Sequence, residues 1–398
     1  MKKTVPLGET WLDQAPTPVV GLAPMDGVSD PVYRRLLVKV ARPDLLFTEF
    51  ISAEGLSRGA LKLFEKLFYF PSHQPIIAQL FGKTPEDFYK ATFVLADLGF
   101  AGIDLNMGCP AKKVVSHGGG ASLIEKPALA TQIVKSCRQA LDDWKKDPSL
   151  ESLNFPSKTL KTIALFKKEN KTKISYSCPT LSVKTRLGID KPILSSWLPV
   201  LLDLPLDFIT IHARTLSQGY SGQADWDQIT LACRLAKKSQ IPIFGNGDVK
   251  SRENALLLSQ KYPVRGFLIG RAAWAAPWVF AKASPTTPER VKIILDHLHL
   301  YQNFYPHPRQ FPGFKKHLAK YLSGFPAAAR LRTSLLLLET PDKLEKALCE
   351  IISKCYSTKL PFKLAPAKAE TVWSTFSAPV PNPRAALMGV MAVGEAMS

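Results

Sequence analysis

The stretch Gly102-Ile103-Asp104-Leu105-Asn106-Met107-Gly108-Cys109-Pro110 carries the strongest chemical signal in the chain. A short apolar run ends on Asn106, and a cysteine follows three residues later beside a proline. Gly108 supplies a permissive backbone and Pro110 fixes the exit, so the turn can hold a thiol over the end of a strand. Taken alone, the stretch also fits a small half-buried cysteine. Similar polar interruptions recur: Pro24 and Met25 follow one apolar run, Gln79 ends a second, and Lys184 and His212 sit in two more. Core packing gives no reason for a Gln, a Lys and a His to end otherwise apolar segments. Two further turns, Gly245-Asn246-Gly247 (followed by Asp248) and Gly270-Arg271-Ala272, offer backbone N–H groups that can approach an anion closely, with Arg271 beside them.

These groups need a scaffold that brings the ends of many segments together. Apolar runs recur at 19–23, 45–48, 76–80, 102–106, 181–185, 208–212, 241–245 and 266–270, with amphipathic stretches such as 85–98, 127–141 and 226–239 between them. Near-continuous apolar strands alternating with helices indicate a parallel sheet covered on both faces. Eight such units predict an α/β protein, a (β/α)8 TIM barrel, with an open doubly wound sheet as the alternative. The barrel is preferred because its active sites are built at the C-terminal face from several strand ends, where the unusual residues fall here. The barrel is expected over 1–288, a smaller all-α domain over 289–368, and a poorly ordered Pro-, Ala- and Ser-rich tail over 369–398.

With 52 basic and 33 acidic side chains, the chain carries a formal net charge of +19. Such an excess points to a polyanionic partner or to a basic, unspecialised surface. The six cysteines form no CxxC pair and no His cluster has ligand spacing, so neither a disulfide framework nor a metal site is expected. The thiols read as reduced and cytoplasmic. The N-terminus lacks the apolar core of a signal peptide, and no apolar run approaches the ~20 residues of a membrane helix. Residues 141–180 form an unusually long connection with eight lysines between Lys145 and Lys173, read as a solvated surface excursion or, less often, as an RNA contact.

In order along the chain, Leu22-Ala23-Pro24-Met25-Asp26-Gly27-Val28-Ser29-Asp30, Ala78-Gln79-Leu80-Phe81-Gly82, Asn106-Met107-Gly108-Cys109-Pro110-Ala111-Lys112-Lys113, Val183-Lys184-Thr185-Arg186-Leu187-Gly188, Ile211-His212-Ala213-Arg214-Thr215, Gly245-Asn246-Gly247-Asp248 and Ile269-Gly270-Arg271 resemble the flavin-dependent tRNA-dihydrouridine synthases, nearest the bacterial B-type branch. Lys316-His317-Leu318 and Tyr321-Leu322 resemble that family's C-terminal helical domain. The chain departs from the pattern at Asp26, where an alanine is usual, and at Ala275-Ala276 before Pro277-Trp278, where Gly-Asn is usual.

The resemblance implies reduction of the uracil C5–C6 double bond in tRNA, with FMN bound and NADPH as a transient reductant. It implies Cys109 as the proton donor, a role suited to a thiol whose ordinary pKa of about 8.5 keeps it protonated at neutral pH. Asn106 is expected to hold the base. Pro24, Met25, Asp26, Gln79, Lys184, His212, Asn246, Gly247, Asp248, Gly270 and Arg271 are expected to line the flavin. Lys112, Lys113, Arg186, Arg214, Lys316 and Lys320 are expected to contact RNA, helped by 12 basic against 4 acidic side chains over 309–368. No obligatory protein partner and no membrane are implied. The remaining alternative is an FMN barrel that reduces a small metabolite.

Overall fold

The chain is described from a computed structural model covering residues 9–116, 118–169, 178–323, 325 and 327–357; the expected tail at 369–398 lies outside them. It divides into two compact units, with the boundary between Lys282 and Ala283.

The first unit is built on eight parallel strands: β1 (Val19–Leu22), β2 (Leu46–Ser52), β3 (Ile76–Phe81), β4 (Gly102–Met107), β5 (Thr180–Arg186), β6 (Phe208–His212), β7 (Ile243–Asn246) and β8 (Gly266–Ile269). They are ordered β1-β8-β7-β6-β5-β4-β3-β2, which is the sequence order of a closed ring. The β1–β2 seam is the shortest, a single parallel bridge between Gly21 and Leu45 supported by Leu22 N–H to Leu45 O at 2.9 Å. A Cβ at position 21 would lie 3.0 Å from Leu45 atoms, so glycine lets the strands meet there.

Alternation along the strands explains where polarity gathers, because every second residue faces the barrel interior. Toward the strand starts the interior is apolar: Val19, Leu45, Phe47, Ile77, Phe208, Phe244 and Leu268 pack with Trp11 and Leu12 from the short helix Trp11–Gln14. Trp11 meets Phe208 edge-on at 5.9 Å, donates to Thr180 Oγ1 at 2.9 Å, and so stoppers this end. Two residues further along, the same faces carry Gln79, Asp104, Ser182 and Thr210. Beyond those come Asn106, Lys184, His212 and Asn246. The barrel is oily at one end and polar at the other.

The long connection expected to be solvated is instead structural. The β2–β3 crossover has the short helices Ala53–Ser57 and Leu63–Leu67 and a single 3₁₀ turn at Pro71–His73, which leaves aromatic residues to be covered. Helix Ser157–Glu169 packs there, burying Thr159, Thr162, Ile163 and Phe166. The Phe166 ring lies 6.0 to 6.1 Å from Phe64, Phe68 and Tyr69, and Lys167 pairs with buried Asp97 at 2.7 Å. Lys158, Lys161 and Lys168 remain on its outer face. Residues 170–177 of the connection lie outside the described part.

The second unit contains helices Thr287–Phe304, Phe311–Tyr321, Ala328–Leu337 and Pro341–Ser357. The first packs against the second and fourth, and the second against the third. Thr286 opens the first through a capping box with Glu289. Phe314, Leu318 and Tyr321 point inward, while Lys316 and Lys320 are exposed, the division that their helical spacing predicts.

Candidate active site

Strand β4 ends in an Asx-type turn that positions the thiol. Asn106 Oδ1 accepts from the backbone N–H of Gly108 at 3.2 Å and of Cys109 at 2.8 Å. Asn106 Nδ2 donates to Gln79 Oε1 at 2.9 Å, so the two amides from β3 and β4 lock together. Thr185 Oγ1 donates to Met107 O and Arg186 Nε to Gly108 O, at 3.1 and 2.7 Å, which hold the same turn from β5. Cys109 is thus a partly exposed thiol on a fixed backbone. Burial pushes its pKa up, outweighing the nearby cations Arg186 and Lys184, so the thiol is protonated at neutral pH.

Lys184 and His212 stand beside it on β5 and β6. Burial, followed by the neighbouring Arg186, lowers the Lys184 ammonium to about 8. Among the described residues Lys184 has no hydrogen bond or ion pair. Burial also holds His212 far below its ordinary range, and Lys184, Arg186, Arg214 and Arg271 push in the same direction. The imidazole is therefore neutral at neutral pH, with no hydrogen bond among the described residues.

The loops after β7 and β8 complete the mouth. Gly247 has φ +128° and Asp248 φ +53°, so the chain turns back sharply there. Asp248 accepts from Arg214 Nη2 at 2.6 Å, Arg271 Nη2 at 2.9 Å and Ala224 N–H at 2.8 Å. Arg271, half exposed, also lies over the Tyr220 ring at 5.1 Å. Among the described residues, Arg214 Nη1 is buried without a hydrogen-bond partner. A Cβ on Gly270 would meet only Ala23 and Met25, at 3.7 Å, which leaves room beside the β1 loop. An unpaired ammonium, a neutral imidazole and an orphaned guanidinium N–H form a donor set that suits an electron-rich ring with an anionic tail.

Several expected ligands have other employment. Arg186 is 3% exposed and donates to the carbonyls of Gly108, Thr215 and Gly219. Arg214 is 1% exposed and holds Ser221 O, Gly222 O and Asp248. Both bind loops together instead of projecting toward RNA, because each guanidinium is buried among carbonyl oxygens. Asp248 likewise orients two arginines, and Asn246 donates to Leu268 O at 2.9 Å across to β8. Asn106 has its oxygen committed to the turn, leaving only one amide N–H for a base. The side chains of Lys112 and Lys113 lie outside the described part. Lys316 and Lys320 belong to the helical unit, not to this cluster.

Three participants were not among the expected site residues. Asp104, fully buried, is raised to about 6 by its burial and accepts from Gln79 Nε2 at 2.7 Å. Glu49 and Lys66 join Asp26: Lys66 Nζ lies 2.7 Å from Asp26 and 3.2 Å from Glu49, and Glu49 accepts from Gly27 N–H at 2.7 Å. A register shift in β2 between Phe47 and Phe50 accompanies the turn of Glu49 toward the β1 loop. Asp26 is therefore half of an ion pair that anchors the loop carrying Pro24 and Met25.

Comparison with known proteins agrees with this geometry. Residues 21–148 and 162–357 match the family described as Dihydrouridine synthase (Dus), and the inserted helix begins in the gap between them. A Staphylococcus aureus (strain COL) protein named "Probable tRNA-dihydrouridine synthase" is 30% identical over 340 residues, covering 82% of this chain and 91% of that one. "Probable tRNA-dihydrouridine synthase 2" of Bacillus subtilis (strain 168) is 29% identical over 350 residues, covering 85% and 96%. With a family match across most of its length and a strand-end site of the kind described, the chain belongs to the dihydrouridine synthase family of flavin-dependent oxidoreductases.

Proposed function

We propose that this protein reduces the C5–C6 double bond of uridines in tRNA, with FMN as the bound flavin, NADPH as a transient reductant, and the cytoplasm as its location. The observation that carries the reading is the Cys109 thiol, held protonated on an Asn106-capped turn within the electrostatic reach of the unpaired Lys184 ammonium. When bound and reduced, the flavin supplies the hydride that adds to uracil C6. Cys109 Sγ–H gives its proton to C5, so the two additions balance. A carboxylic acid of ordinary pKa would be ionised and unable to donate.

Lys184 stabilises negative charge on the pyrimidine end of the reduced ring, and its lowered pKa of about 8 leaves it mostly charged at pH 7. Neutral His212 offers one N–H donor to the ring or base. Arg271 and the backbone N–H groups near Gly247 and Gly270 would hold the flavin phosphate, with Arg214 and Asp248 fixing the loops. Gln79, its amide engaged by Asn106 and Asp104, would support Asn106, whose remaining N–H would be open to the ring or base. A target uridine must leave its stack to reach the barrel mouth. The helical unit supports the rest of the substrate through exposed Lys316 and Lys320, with Lys112 and Lys113 following the catalytic turn.

The test uses purified full-length protein, NADPH and unmodified tRNA, with dihydrouridine measured by mass spectrometry of digested tRNA. The expected result is NADPH oxidation matched by dihydrouridine. NADPH oxidation supported by small enones, without any tRNA product, would overturn the reading and favour a small-molecule reductase.

A further inference from the structure

Two opposite charges stand on one interior face of the barrel, and neither has an ion pair among the described residues. Glu49 and Asp104 are the only acidic residues on the eight strands, and Glu49 turns away toward the β1 loop. Asp104 is thus the one strand carboxylate that stays inside, fully buried. Its hydrogen bonds come from neutral groups, Gln79 Nε2 at 2.7 Å and Ser182 Oγ at 2.6 Å. Lys184 lies one layer nearer the mouth. The register of β4 on β5 sets Asp104 opposite Ser182 and Asn106 opposite Lys184, so Asp104 and Lys184 are diagonal neighbours. Strand spacing and rise put their Cα atoms roughly 8 Å apart. A buried charge is costly unless something compensates it. Here each of the two can compensate the other.

We propose that Asp104 is a positioning residue that acts through Lys184, a buried counter-charge that keeps the Lys184 amine protonated beside the flavin ring. The proposal rests on the reading of Lys184 as the group that stabilises negative charge on the reduced ring. Few charged or titratable groups surround that amine. From β4 come Asp104 and the protonated Cys109 thiol, from β5 Arg186, and from β6 the neutral His212. Burial and Arg186 lower the ammonium to about 8, and Asp104 is the carboxylate that opposes them. Asp104 itself is raised to about 6, so between those two values both groups carry charge. Asp104→Asn removes the charge and keeps the bonds: the amide oxygen accepts from Gln79, and the amide N–H donates to the Ser182 hydroxyl. Lys184 then loses its opposing carboxylate, and at this separation its pKa falls by about 1–2 pH units. The amine becomes mostly neutral, and reduction of the ring must draw a proton onto Lys184 Nζ.

Spectroelectrochemical titration of the flavin-loaded full-length protein, repeated from about pH 6 to 8, reads the effect. The potential of Asp104→Asn should match wild type at the acid end and lie about 30 mV lower at the alkaline end, a tenfold loss in the two-electron equilibrium. Its fall with pH should be steeper by up to one proton per two electrons, the proton that Lys184 takes up. The sign separates two mechanisms. A carboxylate acting on the ring by its own charge would raise the potential when removed, so a raised or unchanged potential at the alkaline end would overturn the proposal. In a Lys184→Ala background, Asp104→Asn should lower the potential no further. An equal lowering there would also overturn the proposal, because Asp104 would be acting without the amine. If Asp104→Asn does not hold flavin, Asp104→Ser takes its place with the same expectations, and loss of flavin from both would assign Asp104 to the fold and overturn the proposal. Lys184→Ala alone distinguishes the two readings. An unchanged potential there removes Lys184 from the ring, whereas a lowered one, with Asp104→Asn like wild type, refutes only the counter-charge.

Discussion

The barrel mouth and the helical unit each bury neutral histidines, and they do so for opposite ends. At the mouth, His212 is kept neutral by burial and by four surrounding cations, and among the described residues no group hydrogen-bonds to its ring. In the helical unit, His297 and His317 pack edge-on at 4.9 Å among Phe314, Tyr301 and Tyr321, with Tyr321 Oη 2.9 Å from His297 Nδ1. Burial lowers both, His317 to about 3. The mouth points unsatisfied groups inward, toward a small ligand. The helical unit packs its histidines among aromatic rings and turns Lys316 and Lys320 outward.

The contrast can be pressed hardest on the barrel side. Phe166→Ala should destabilise the barrel by about 3–5 kcal/mol, since it empties a site walled by Phe64, Phe68 and Tyr69. Calorimetry should show the barrel transition shifting while that of the helical unit stays in place. Lys184→Ala should lower the flavin potential and slow flavin reduction by about 10²-fold, the scale for losing one charge-stabilising donor. Spectroelectrochemistry with rapid-mixing kinetics checks this, and an unchanged potential would show that the ammonium serves elsewhere.

Acid should act on both units, through His73 and His212 in the barrel and through His297 and His317 in the helical unit. The folded state refuses protons at His297 and His317 that the unfolded chain accepts below about pH 6.5, so stability is full above that pH and falls below it. For His317 the loss continues to about pH 3. The slope is about 1.4 kcal/mol per pH unit for each histidine. Thermal melts between pH 7 and 5 measure it, and His317→Phe should flatten the profile. The smallest effect is expected from Lys316→Ala with Lys320→Ala. Catalysis at saturating tRNA should persist, while the salt dependence of tRNA binding loses roughly one unit of slope per phosphate contact.

All eight strands were legible in the sequence because buried parallel strands announce themselves as short apolar runs, and the polar residues at their ends marked the end of the barrel where polarity gathers. The employment of those residues was less legible. Arg186 and Arg214 read as free cations because a sequence shows their charge and not the carbonyls around them. Asp104 lies two residues before Asn106 and so on the same face, a clue that alternation offered. Glu49 and Lys66 gave none, since a strand irregularity and a distant short helix bring them to Asp26. Helix Ser157–Glu169 was readable from Thr159, Thr162, Ile163 and Phe166 at helical spacing, but its lysines drew the eye to solvent.

The central claim is that the barrel mouth delivers a proton from Cys109 to a uridine whose other hydrogen comes from the flavin. Single-turnover reoxidation of the reduced Cys109→Ala protein by unmodified tRNA tests it most directly. The account predicts normal flavin content, normal reduction by NADPH and normal tRNA binding, with reoxidation slowed about 10²–10⁴-fold. Reoxidation at the wild-type rate, with dihydrouridine formed in equal amount, would contradict it.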